Sequence, residues 1–336
     1  MTERGIQLRR FLQAQGWGDA RRVQLAGDAS GRRYERLQQA GRSAILMDAD
    51  PAKGEQTAPF LRIARYLSGH GFSAPAVLGA DTQNGFLLLE DLGDDLFARL
   101  VQERPDIEQP LYRAAAEMLY ALHQCPPEPE LPHADCDRLT SMIDLVFDPY
   151  STAMGAPVHS DAQTAIKTSL HAALHKLAPQ QTVTILRDFH AENLIWLPNR
   201  NGIARVGLLD FQDALVGHPA YDLASLLQDA RRDVSADTAR DALNHYITIS
   251  GSDRDTFRAA YAVLGVQRNL RILGIFVRLC LVAEKPGYVD LIPRVWGHLM
   301  AGLAHPELSD LASQITAHIP APTPAKLKAL KQQGAR

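Results

Sequence analysis

A chain of 336 residues is long enough for one large domain or two, with a core that needs no covalent staples. Its 46% apolar and 22% charged residues, with a net charge of −3, exclude broad disorder and give no field that would recruit nucleic acid. A small-molecule partner suits that balance. Cys125, Cys136 and Cys280 are odd in number and lack metal-type spacing, so neither a disulfide framework nor a zinc site is expected. The N-terminal segment is charged and amphipathic, and no run of about 18 apolar residues occurs, so the expectation is a cytoplasmic protein with no membrane segment. No obligatory protein partner is evident.

In chain order, Ile6 to Gln15 carries Ile6, Leu8, Phe11 and Leu12 near one face, which predicts a short amphipathic helix ended by Gly16-Trp17-Gly18. Val23 to Ala26, Tyr34 to Leu37 and Ser43 to Asp48 read as strands, the first two joined by the turn Gly27-Asp28-Ala29-Ser30-Gly31. Glycines there would let backbone N–H groups approach an anion. A helix is expected over Glu55 to Leu67. Strands at Pro75 to Leu78 and Phe86 to Leu89 complete a five-strand sheet, which Glu90-Asp91-Leu92-Gly93 breaks. Beyond Asp94 helical spacing dominates: Leu111 to His123, Ser141 to Tyr150, Asp161 to Leu177, Ala236 to Ile249, Asp255 to Ala283 and Val289 to Ala304. The tail after His318 has turn and polyproline composition, and its lysine-rich end is expected to be mobile.

Two stretches carry chemistry. Leu186-Arg187-Asp188-Phe189-His190-Ala191-Glu192-Asn193 follows the β-type run Thr182 to Ile185, and Leu209-Asp210-Phe211-Gln212 follows the apolar run that begins at Val206. Between them, Asn193 to Trp196 and Val206 to Leu209 read as a hairpin that brings Asn193 and Asp210 to one edge. Two carboxylates and an amide on loop ends suit phosphoryl transfer from a magnesium nucleotide, since Mg²⁺ prefers oxygen ligands and an attacking hydroxyl needs a carboxylate to orient it.

Arg-Asp-Phe-His-Ala-Glu-Asn resembles the protein-kinase catalytic loop, and Asp210-Phe211 resembles the start of its second metal motif. Within that superfamily the wording is similar to the aminoglycoside and choline phosphotransferases. It comes nearest to the bacterial kinases that phosphorylate the anomeric hydroxyl of N-acetylmuramate and N-acetylglucosamine in cell-wall recycling. Gly27-Asp-Ala-Ser30, Ala44 to Asp48, Arg187 to Pro198 and Gly207 to Val234 carry this likeness. It implies an α+β, bilobal protein-kinase-like fold, divided into residues 1–92 and 93–336, with ATP and Mg²⁺ as cofactors and an amino sugar as substrate.

The resemblance makes Asp188 the catalytic carboxylate, Asn193 and Asp210 the metal ligands, and Gly27, Asp28, Ala29, Ser30 and Gly31 a cover for the triphosphate. Glu90 and Leu92 would meet the adenine edge through their backbone. Asp222, in the first turn of a helix, would cap backbone N–H groups and hold the catalytic loop. Kinases carry a strand lysine paired with a helix glutamate, yet the matching position here is Met47. Arg32, Arg33 or Lys53 would have to supply that charge, with Arg33 preferred and Glu55 available to steady it. Arg231, Arg232, Arg268 and Arg271 are candidates for a lactyl carboxylate, because a guanidinium binds carboxylate bidentately. Phosphorylation of an aminoglycoside is the competing activity. A nucleotide-binding scaffold without catalysis is the competing class, suggested by Met47 and by Leu186 where the family carries histidine.

Overall fold

The computed structural model describes residues 2–25, 31–179 and 182–334. In chain order the named elements are α1 (Glu3–Ala14), β1 (Arg21–Gln24), β2 (Arg33–Gln39), β3 (Arg42–Asp48), α2 (Ala58–Gly69), β4 (Val77–Asp81), β5 (Phe86–Leu89), α3 (Phe97–Glu103) and α4 (Glu108–His123). Then come α5 (Cys136–Ser141), α6 (Ser160–Leu177), β6 (Val183–Ile185), β7 (Leu194–Trp196), β8 (Val206–Leu208), β9 (Leu215–Gly217) and α7 (Ala220–Leu227). The chain closes with α8 (Ala236–Ser250), α9 (Arg254–Leu281), α10 (Ile292–Leu303), α11 (Ser309–His318) and α12 (Pro324–Gln333). The class is α+β, with one five-stranded antiparallel sheet and a helical majority, as expected. Among the described residues no helix is long and apolar enough to cross a membrane.

The chain forms two compact units, and a single cut does not separate them: Met1–Glu103 groups with Glu192–Ala214, and Arg104–Ala191 groups with Leu215–Arg336. The first unit holds the sheet, in the order β1-β2-β3-β5-β4. One face of the sheet meets α1: Leu8, Phe11 and Leu12 bury against Leu37, Leu46, Phe86 and Leu88, with Phe11 stacked on Phe86. Thr2 caps α1 by accepting from the Gly5 N–H, which is why the helix begins where it does. The hairpin β7–β8 pairs Leu194 with Leu208 and Trp196 with Val206. It is tied to the rest of its unit by Leu208 N–H donating to Ser73 O and Trp196 N–H donating to Asp95 O, both at about 2.9 Å (2.9 and 2.8 Å).

In the second unit α9 is the axis. Its 28 residues span roughly 42 Å at 1.5 Å per residue. They are buried along most of their length, packed by α7, α10 and α6. Asp253 caps it by accepting from the Thr256 N–H at 2.9 Å. The helix expected over Ser141 to Tyr150 does not form as one element. Pro149 disfavours helical geometry at Asp148 (φ −143°, ψ 124°), so α5 ends at Ser141 and a bent turn follows. The tail is a second correction: α12 forms after the polyproline-like stretch, with Thr323 as N-cap, Pro324 at the first helical position and Leu330 buried. A proline pattern marks a helix start as readily as a loop.

Gly85 joins β4 to β5 with φ +72°, and a Cβ there would overlap the Ala49 carbonyl oxygen. Gly16 has a similar φ of +74° but open space around it. Gly85→Ala should therefore lose more stability than Gly16→Ala, whose cost is the roughly 1–2 kcal/mol of left-handed backbone alone. Urea unfolding of the two variants checks this; equal losses would contradict it.

Candidate active site

The first unit gathers the expected metal ligands. Leu209 N–H donates to Asn193 O at 2.9 Å, continuing the β7–β8 ladder by one step, so the amide and the Asp210 carboxylate emerge at the same end of the hairpin. Asp210 takes a left-handed conformation (φ +54°), an unusual one for a residue with a side chain. Its neighbours hold it there. Phe211 is buried and stacks on Phe60 at 4.9 Å, and Gln212 Nε2 donates to Asp210 Oδ1 at 2.7 Å.

The same unit shows how basic residues are distributed near that edge. Arg32 donates from Nε to Glu55 Oε2 at 3.1 Å, and its Nη1 lies 4.0 Å from Asp210 Oδ1. The other Glu55 oxygen accepts from the Gly31 N–H at 2.8 Å. Arg33, the cation preferred from the sequence, is placed elsewhere: it is 55% exposed and pairs with Asp48 at 2.9 Å, a carboxylate that Arg4 also holds. Arg32 precedes β2 and Arg33 is its first residue, and the two side chains are drawn to different carboxylates, Glu55 and Asp48. Met47 is fully buried.

At the break after β5, Glu90 N–H is taken by Ala76 O at 2.8 Å, so it is not a donor for a ligand, and the Glu90 carboxylate pairs with Arg200 and with Ala76 N–H. Leu92 is buried, and Gly93 turns the chain with φ +89°. Arg36, which sequence reasoning did not single out, clasps this segment through Asp91 (2.8 Å), Asp94 (2.8 Å) and Gly93 O (3.3 Å). Of the loop expected to cover the triphosphate, Gly27, Asp28, Ala29 and Ser30 lie outside the described residues.

The second unit holds Asp188. Asp222 is wholly buried and accepts from Leu186 N–H at 2.6 Å and Arg187 N–H at 2.8 Å. Ser225 Oγ donates to Arg187 O at 2.8 Å, and Arg268 Nη2 donates to Ser225 Oγ at 2.9 Å. Both polar groups of the Arg187 peptide are thus gripped by α7, and α9 braces the grip. That fixes Arg187 in a left-handed conformation (φ +69°) directly before Asp188, which lies close enough to Arg268 to favour its charge. Arg268 is only 6% exposed, which encloses it more than a hook for a substrate carboxylate would be. Burial pulls its pKa down, and Tyr221, Asp188 and Asp229 oppose that. Arg231 meets the loop that carries Asp188, its Nη1 lying 2.9 Å from His190 Nε2. Burial first, then Arg231 and Arg268, hold His190 well below the ordinary range, so it is neutral and accepts from Arg231. Arg271 is half-buried on α9 beside Arg268, whereas Arg232 is engaged by Glu108 and Tyr112.

The model of the phosphotransferase enzyme family matches residues 21–260. The chain belongs to that family. An N-acetylmuramate/N-acetylglucosamine kinase of Caulobacter vibrioides is 38% identical, covering 96% of this chain and 98% of the relative. A kinase of the same name from Pseudomonas aeruginosa is 33% identical over 91% of this chain and 92% of its own length. A solved choline/ethanolamine kinase family protein from Mesorhizobium loti superposes with a TM-score of 0.64 at 17% identity, covering 94% of this chain and 99% of that one. The chain is therefore a phosphotransferase enzyme of protein-kinase-like fold, as its motifs implied.

Burial pushes the Asp222 carboxyl from 3.8 up to about 7, although the two N–H donors favour the anion and nearby Asp188 disfavours it. A raised folded pKa means this group's stabilisation is complete below about pH 4 and is lost as pH rises through about 7. Between pH 5 and pH 8 the native chain should lose on the order of 2 kcal/mol more stability than Asp222→Asn, measured by urea unfolding. Parallel pH profiles would refute this.

Proposed function

We propose that this phosphotransferase moves the terminal phosphoryl group of magnesium ATP to the anomeric hydroxyl of N-acetylmuramate or N-acetylglucosamine. The hydrogen bond between Leu209 N–H and the Asn193 backbone carbonyl supports this reading, because it ends the hairpin with Asn193 opposite the residue before Asp210, in the unit that also holds the Glu90–Gly93 segment. The names of the relatives from Caulobacter vibrioides and Pseudomonas aeruginosa supply the acceptor.

The donor set fits the metal. Among the described residues no three His, Cys, Asp or Glu side chains gather as a ligand group, and Mg²⁺ at a phosphotransfer site needs only one or two carboxylates, the remainder coming from phosphates and water. Asp210 and Asn193 would hold it. When bound, the ion neutralises charge on the phosphates and fixes their direction. The Glu90 carbonyl and the Leu92 N–H would orient the adenine edge. Met1–Glu103 with Glu192–Ala214 is thus read as the nucleotide unit, and the remainder as the acceptor unit.

Asp188 would accept a hydrogen bond from the sugar hydroxyl, aim its oxygen and take its proton as the new bond forms. The Asp222 and Ser225 contacts to the preceding peptide would keep that carboxylate from turning away. An anomeric hydroxyl is more acidic than an ordinary alcohol, so the demand on the base is modest. Arg231, against His190 of the loop, and Arg271, half-buried beside Arg268, are read as partners for a lactyl carboxylate; the enclosed Arg268 is read as a brace for the loop. Such cations suit an acidic sugar and would repel a polycationic aminoglycoside.

Incubation with magnesium ATP and N-acetylmuramate, N-acetylglucosamine or kanamycin, with phosphorus NMR of the product, tests the reading. Expected is a phosphate on C1 of one or both sugars. Asp188→Asn should fold and lose about 10²-fold or more in kcat. Kanamycin as the sole acceptor, or an Asp188→Asn protein with near wild-type turnover, would overturn the proposal.

A further inference from the structure

The strand that would supply a phosphate-facing lysine has none. Met47 is fully buried in β3, paired in register with Tyr34. Yet a nucleotide site of the kind proposed above concentrates three phosphate charges beside a metal, and it works poorly without a fixed cation. Three basic side chains stand near enough in sequence to be weighed. Lys53 is exposed, on the short turn Pro51–Lys53. Arg33 is drawn to Asp48, where Arg4 already sits. Arg32 alone of the three is held on the side of Asp210.

Its surroundings suit the task. The Arg32 side chain is 12% exposed, against 55% for Arg33, so its charge acts through a partly desolvated medium. Burial pulls its pKa down, but Tyr34, Glu55 and Asp210 more than offset that, leaving a net upward shift. Glu55 grips the segment twice, with Oε2 on Arg32 Nε and Oε1 on the Gly31 N–H. Two anchored points on adjacent residues fix the direction of the guanidinium. Glu55 also lies ahead of α2, three residues before its first residue, Ala58, rather than acting as a charge on the helix dipole. The planar fork, with Nε turned to Glu55, carries Nη1 toward Asp210 at 4.0 Å. At that separation a phosphate oxygen could accept from the guanidinium while the carboxylate faces the metal ion bound to that phosphate.

We propose that Arg32, braced by Glu55, takes the place of the missing strand lysine and donates to the phosphates of the nucleotide held at Asp210 and Asn193. The assignment rests on the nucleotide reading of this unit. An arginine just ahead of β2 would reach by a different route what a lysine would reach from β3, and adds the bidentate geometry that a phosphate accepts well.

Binding of Mg-ADP, followed by fluorescence of a labelled nucleotide, tests this apart from turnover. Arg32→Met should weaken binding by about tenfold or more, as expected for loss of a hydrogen bond to a charged group, and should leave the KM for sugar within about twofold. Glu55→Gln should give a smaller loss of the same kind. If Arg32→Met does not fold by circular dichroism, Arg32→Lys carries the test, with a loss of about threefold or more from the missing fork. Wild-type nucleotide affinity in the folded Arg32 variant overturns the assignment, and a loss confined to Arg33→Met moves it to that residue. A native protein that binds no Mg-ADP would instead sink the nucleotide reading itself.

Discussion

One backbone hydrogen bond, from Leu209 N–H to Asn193 O, constrains the rest of the candidate chemistry. Without it, β7 and β8 would still pair over Leu194 to Trp196, but Asn193 and Asp210 would belong to independent loop ends. With it, seventeen residues of sequence separation, from Asn193 to Asp210, close to a single edge. The registry is protected by the hairpin's ties to Ser73 and Asp95, and by close packing of Leu92, Ile195 and Leu197 around Gly207, where a side chain would not fit without displacing them. A divalent ion demands positional precision of its ligands, and a short hairpin with both faces occupied supplies it more rigidly than a loop would.

Backbone strain sits where the chemistry is expected. Arg187 and Asp210 are two of the four non-glycine residues with positive φ among the described residues, and each adjoins or is a candidate functional group. Left-handed backbone costs roughly 1–2 kcal/mol for such residues, so it persists only where surrounding contacts outweigh it. At Arg187 these contacts are the Asp222 carboxylate and the Ser225 hydroxyl; at Asp210 they are the Phe211–Phe60 stack and Gln212. The second unit adds a heavier cost, a buried acid at Asp222, offset by two N–H donors and the field of Arg268, and a buried cation at Arg268, offset by Tyr221, Asp188 and Asp229. Elements that serve only packing rarely retain such groups.

Periodicity and motif wording made the sheet, the hairpin and the order of Asp188, Asn193 and Asp210 legible, because each rests on local rules of alternation and turn chemistry. Asp222 was legible as a helix-start carboxylate, and the structure puts two loop N–H groups on it. What local rules could not reach is the choice among neighbouring cations. Arg32 and Arg33 are adjacent and chemically identical; only the competing carboxylates Glu55 and Asp48 separate their directions. Ser225 gave no signal, since its value depends on α9 bringing Arg268 across 43 residues of sequence. The bend at Pro149 and the capped helix at Pro324 were misjudged for one reason: proline breaks a helix from inside and begins one from outside, and composition alone does not say which.

On the proposed reading labour is divided: Asp210 would hold the metal nucleotide and Asp188 would handle the acceptor. Electron paramagnetic resonance of Mn²⁺ in the presence of ADP separates the two roles, since Mn²⁺ takes the same oxygen ligands as Mg²⁺. Asp210→Asn should weaken formation of the ternary complex by about tenfold or more, while Asp188→Asn should leave it within about threefold. Equal weakening in both, or weakening only in Asp188→Asn, would contradict the assignment.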